Sequence, residues 1–116
     1  MGSEVLVLPK IYDLMVWFSP KITSFPKKYK YTLGDRLTNS MLSILEGIIS
    51  ARYSKKKEHF LRQCNLEIEK LRFLMRLAKD LQCLEINSYE FAITKLEEIG
   101  KMIGGWEKYS KSITDE

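Results

Sequence analysis

From Lys55 to Leu84 the chain reads KKKEHFLRQCNLEIEKLRFLMRLAKDLQCL. At about 100° per residue the stretch predicts one long helix whose apolar face carries Phe60, Cys64, Ile68, Leu71, Met75 and Ala78. Leu66, Phe73, Leu77 and Leu84 form a second apolar stripe on roughly the opposite side. Between them runs a mostly cationic stripe of Arg62, Asn65, Glu69, Arg72, Arg76 and Lys79. A helix that buries one face in its own domain needs one apolar stripe. The second implies a wider core or another subunit, and the basic stripe implies an anionic partner.

The segments on either side are helical too. Leu33, Leu37, Met41, Ile44 and Ile48 make one face of a helix over about residues 32–53, and Leu42, Leu45, Ile49 and Tyr53 make another. Thr32-Leu33-Gly34-Asp35 has the spacing of a capping box at its start. Upstream, residues 9–24 form a helix apolar nearly all round, opened by Pro9 and kinked or broken by Pro20. Downstream, Asn87-Ser88 caps a helix over about residues 88–109 with Tyr89, Ala92, Ile93, Leu96, Ile99 and Ile103 on its core face. Gly100, Gly104 and Gly105 are costly inside a helix and suggest close approach of another backbone, or an interruption. No useful length alternates with period two. The fold class is all-α: an up-and-down four-helix bundle in a single domain, residues 1–116.

Cys64 and Cys83 sit in helical apolar patterns and read as small buried hydrophobes rather than a disulfide framework. With one histidine and no CxxC, neither a metal site nor any cofactor is called for. No basic leader or membrane-length apolar run is present, so a reduced cytoplasmic setting is the expectation, with no membrane partner.

The net charge of +4 is unevenly spread. Residues 20–79 hold fourteen Lys and Arg against five Asp and Glu, whereas residues 80–116 hold four against eight. Two clusters stand out: Lys27, Lys28 and Lys30, interleaved with Tyr29 and Tyr31, and Lys55, Lys56 and Lys57 leading into Arg62, Arg72, Arg76 and Lys79. Cations alternating with rings can engage phosphate and stack on unpaired bases. An extended line of charge suits a nucleic-acid backbone better than base edges. The acidic last helix, with Glu90, Glu97, Glu98 and Glu107, would lie opposite the basic stripe. Catalytic residues are not apparent: phosphate loop, dinucleotide fingerprint and nucleophile elbow are all missing. Arg52 and His59, with six residues between them, match the loose Arg-to-His spacing of HEPN-type ribonucleases. One such pair arises readily by chance in a basic chain, and this one straddles a turn.

Three segments carry a family resemblance. Tyr12, Pro20 and Phe25-Pro26-Lys27-Lys28 are followed by Leu71-Arg72-Phe73-Leu74-Met75-Arg76-Leu77-Ala78, then by Glu97-Glu98-Ile99-Gly100-Lys101-Met102-Ile103-Gly104-Gly105-Trp106. In this order and spacing they resemble the accessory variability determinant (Avd) proteins of diversity-generating retroelements. More distantly they are similar to the four-helix proteins encoded in intervening sequences of bacterial 23S rRNA genes. The resemblance spans about residues 12–109. It implies a four-helix bundle assembled as a pentameric barrel that binds nucleic acid and the element's reverse transcriptase, supporting mutagenic copying of a template RNA into cDNA. Arg72 and Arg76 are the matched residues for the basic surface, and Phe73 and Leu77 for subunit packing.

Together these readings predict a non-enzymatic, oligomeric accessory protein. Its basic surface comprises Lys27, Lys28, Lys30, Lys55, Lys56, Lys57, Arg62, Arg72, Arg76 and Lys79. Its subunit contacts comprise Leu42, Leu45, Ile49, Tyr53, Leu66, Phe73 and Leu77. Two other readings stay open: a helical adaptor that binds only acidic protein surfaces, and a ribonuclease using Arg52 and His59.

Overall fold

Four long helices and one short helical turn account for the fold in a computed structural model, which describes the backbone of residues 2–115 and the side chains of residues 6–112. They are α1 (Gly2–Thr23), α2 (Lys27–Lys30), α3 (Leu33–Tyr53), α4 (Lys57–Asp80) and α5 (Ile86–Asp115). Each long helix packs on two neighbours in the cyclic order α1, α3, α4, α5. Short connections make those neighbours antiparallel, giving an up-and-down bundle of 51 × 22 × 20 Å. No strand occurs among the described residues.

One continuous core runs its length. It takes Val7, Ile11, Leu14 and Phe18 from α1, and Leu37, Met41, Ile44 and Ile48 from α3. From α4 come Leu61, Cys64, Ile68, Leu71 and Met75, and from α5 Ala92, Leu96, Ile99, Ile103 and Trp106. The expected core faces of α3 and α4 are therefore found, with Leu61 added and Phe60 only half-buried.

Helix ends depart from the sequence reading for local reasons. α1 starts at Gly2, with Pro9 and Pro20 inside it. Both prolines are exposed, so the carbonyls that lose an amide partner face solvent, while Val7 and Leu8 continue the packing face. Although apolar nearly all round, α1 leaves Tyr12 and Val16 open. The capping box is not formed. Thr32 Oγ1 donates to the Lys28 carbonyl at 3.2 Å, so the α2 turn, not α3, uses that hydroxyl.

Between α3 and α4, the Lys56 amide donates to Ser54 Oγ at 2.9 Å, holding Lys55 and Lys56 in a turn outside the helix. α4 ends at Asp80, four residues short of Leu84, in a Schellman motif. The Cys83 amide donates to the Ala78 carbonyl at 2.8 Å and the Gln82 amide to that of Lys79 at 3.0 Å. Gln82 takes the left-handed position, φ 62°, that glycine usually fills. Leu84 consequently turns inward and is buried, leaving the second stripe as Leu66, Phe73 and Leu77.

The glycines that admit a close neighbour are Gly47 and Gly34. A Cβ on Gly47 would lie 2.5 Å from Cys64 Sγ, and one on Gly34 2.8 Å from Ile22 Cγ2. At Gly104 and Gly105 nothing approaches within 4 Å, and α5 runs through both unbroken.

Candidate nucleic-acid interface and apolar flanks

The cationic stripe of α4 lies in the α4–α5 seam, beside carboxylates rather than opposite them. Arg62 pairs with Glu58 one turn back, and its Nε stands 4.0 Å from Glu107. Arg72 is wedged between Glu69 at 3.3 Å and Glu97 at 3.4 Å, with its buried Nε lacking a hydrogen-bond partner. Arg76 Nε is 3.9 Å from Asp80, and Lys79 Nζ is 3.5 Å from the same carboxylate and 4.8 Å from the Tyr89 ring centroid. Asn65 Nδ2 also donates to Glu107. Placing the acidic residues of α5 on the far side was incorrect for Glu97 and Glu107: the seam brings opposite charges together and offsets much of the stripe's field.

The two lysine clusters have a different setting. Among the described residues, no carboxylate comes within ion-pair distance of Lys27, Lys28, Lys30, Lys55, Lys56 or Arg52. Lys28 and Lys30 lie over their neighbours' rings, 5.1 Å from Tyr29 and 5.5 Å from Tyr31. This cluster shares one end of the bundle with the α4–α5 connection, where burial raises the Cys83 thiol pKa and the nearby Lys28 charge partly counters it. Lys55 and Lys56 occupy the other end, beside Arg52. Lys57 is set apart from them, because its Nζ donates to the carbonyls of Ala51 and Arg52 at 2.8 and 2.9 Å and so closes the C-terminus of α3. A cation there also complements the helix dipole. Its function is structural, a role invisible in a run of three lysines.

Of the expected subunit-contact residues, Tyr53 is 84% exposed, Phe73 65%, Leu66 58% and Leu77 45%. Leu66, Phe73 and Leu77 point away from the core on α4. Ile49 is exposed, and Leu42 and Leu45 are half-buried. Trp17 stacking on Phe91 and Lys10 pairing with Glu98 identify the α5 side of α1. Tyr12 projects on the other side, past the edge nearest α3, and Val16 next to it points almost directly away from the core. Gly34 against Ile22 identifies the α1 side of α3 as the one bearing Leu42, Leu45 and Ile49. The α1–α3 flank thus carries exposed Tyr12 and Ile49 with half-buried Leu42 and Leu45, and Val16 lies at its outer edge. Tyr12 and Val16 were missed in the sequence because every side of α1 is apolar there.

His59 meets the Phe60 ring edge-on at 5.2 Å, and no hydrogen bond joins it to Arg52. Among the described residues no group of His, Cys, Asp and Glu could hold a metal ion. No described helix is long and apolar enough to cross a membrane.

A family model described as bAvd-like matches residues 5–110. The chain belongs to the bAvd-like family. Membership supports an accessory protein of a diversity-generating retroelement. The bAvd-like chain is also similar in fold to a crystal structure from Bacteroides thetaiotaomicron, a protein of unknown function from the S23 ribosomal protein family. The TM-score is 0.83 at 16% identity, covering 91% of this chain and 98% of that one. At that identity the likeness shows the fold alone, an up-and-down four-helix bundle. No curated protein sequence matches the bAvd-like chain significantly.

Proposed function

We propose that this protein is a non-enzymatic subunit of a diversity-generating retroelement. It assembles into a ring of five, binds RNA or DNA through the phosphate backbone, and binds the element's reverse transcriptase to support mutagenic cDNA synthesis in the cytoplasm. The observation that carries this reading is the family match across residues 5–110. The two separate apolar surfaces, Leu66, Phe73 and Leu77 on α4 and the α1–α3 flank, fit a head-to-tail contact, which closes into a ring when the rotation between subunits allows it. The uncompensated lysines suit polyanion binding, multiplied around a ring. The test is reconstitution of the purified protein with the neighbouring polymerase and template RNA. cDNA synthesis that requires this protein, and a complex that survives gel filtration, are the expected results. Identical synthesis without it, and no complex, would sink the proposal.

The adaptor reading draws support from one observation, the pairing of the α4 cations with carboxylates of their own chain. Binding to RNA or DNA that weakens steeply with salt separates the two, because an adaptor for acidic protein surfaces has no need of phosphate.

A further inference from the structure

We infer that the α3–α4 turn is a single-strand binding site, in which Tyr53 stacks on an unpaired base while Arg52, Lys55 and Lys56 hold the flanking phosphates. The inference rests on the nucleic-acid reading above and moves its main contact from the side of α4 to one end of the bundle.

The charges support this relocation. Arg62, Arg72 and Arg76 each stand beside a carboxylate of the same chain, which offsets part of their attraction for phosphate. Arg52, Lys55 and Lys56 have no such competitor among the described residues, and all three are exposed. They lie within five residues of one another around a tight turn.

The ring points to the kind of strand. Tyr53 is the most exposed of the large apolar and aromatic side chains described, and its ring takes no part in the core or in any ring contact. A tyrosine flanked by cations and open on its faces is suited to a base whose own face is free. In a duplex the faces are taken by neighbouring pairs, so the site favours single-stranded RNA or DNA. The backbone beneath is fixed beforehand: Ser54 Oγ holds the Lys56 amide, and Lys57 clamps the last carbonyls of α3. The backbone of the site therefore loses little conformational freedom on binding.

The test uses the full-length protein and a short oligoadenylate carrying one 2-aminopurine, free or annealed to its complement. The wild type should bind the free strand more tightly than the duplex and change the 2-aminopurine emission through stacking. Tyr53→Ala should weaken single-strand binding about 5- to 100-fold and abolish the emission change, whereas Tyr53→Phe should preserve both. Lys55→Ala with Lys56→Ala should lower the affinity for both forms and flatten the salt dependence. Light scattering on each variant guards against a packing role: loss of binding together with loss of assembled mass in Tyr53→Ala would make Tyr53 a subunit contact and overturn the inference. Unchanged single-strand affinity in Tyr53→Ala would also overturn it while leaving the nucleic-acid reading intact. Absence of wild-type binding to either form would end both.

Discussion

Gln82 occupies a backbone conformation that costs an L-residue with a Cβ roughly 1 kcal/mol relative to glycine. The Schellman bonds around it and the burial of Leu84 hold it there. Gln82→Gly should accordingly stabilise the fold by about 1 kcal/mol, read as a higher urea midpoint at constant m-value. Cys64 supplies a second residue-scale prediction. Burial, and secondarily the charge of Glu67, push its thiol from the ordinary 9.0 up to about 11, while Sγ donates to the Ile44 carbonyl. The unfolded chain releases this proton before the folded chain does. The contribution is fully present below pH 9 and is lost as the pH rises through about 11, a change of roughly 2–3 kcal/mol. Urea titrations of Cys64→Ser should show a flatter alkaline decline than the wild type. Equal slopes would assign the decline to other groups.

At the scale of helices, periodicity was legible wherever one face is buried and obscure where end geometry decides. The core faces of α3 and α4 follow directly from apolar spacing. The end of α4 did not, because the left-handed residue is glutamine and no glycine marks the stop. Pro9 and Pro20 were misleading because their cost depends on which side of α1 they occupy. The carboxylates of the α4–α5 seam were also hidden, since a sequence fixes each helix's own faces but not the rotation of one helix against the next. Gly104 and Gly105 read as sites of close approach, yet the space around them is open within the chain. Gly105→Ala should therefore stabilise the isolated chain by about 0.5–1 kcal/mol, measured by thermal unfolding. A stabilised variant that no longer assembles would place a neighbouring subunit's backbone against that turn of α5.

For the molecule as a whole, the apolar surfaces left open on two sides are the feature that fold alone does not use. Phe73, at 65% exposure, contributes little to the core. Phe73→Glu should convert the proposed ring to a 13.6 kDa particle by light scattering while the far-ultraviolet helical signal is kept. A mass unchanged by the substitution would remove α4 from the subunit contact. The basic clusters at both ends and the paired charges along the α4–α5 seam have a further consequence. The bundle resembles a short rod with two positive poles and a largely balanced waist. Copies placed pole to pole bring like charges into contact, whereas copies placed side by side set neighbouring poles a bundle's width apart, 20–22 Å against a screening length of roughly 8–10 Å, and can meet through apolar surface. Lateral growth is favoured over stacking into filaments, and in the proposed ring the poles would form two crowns of positive charge facing opposite directions.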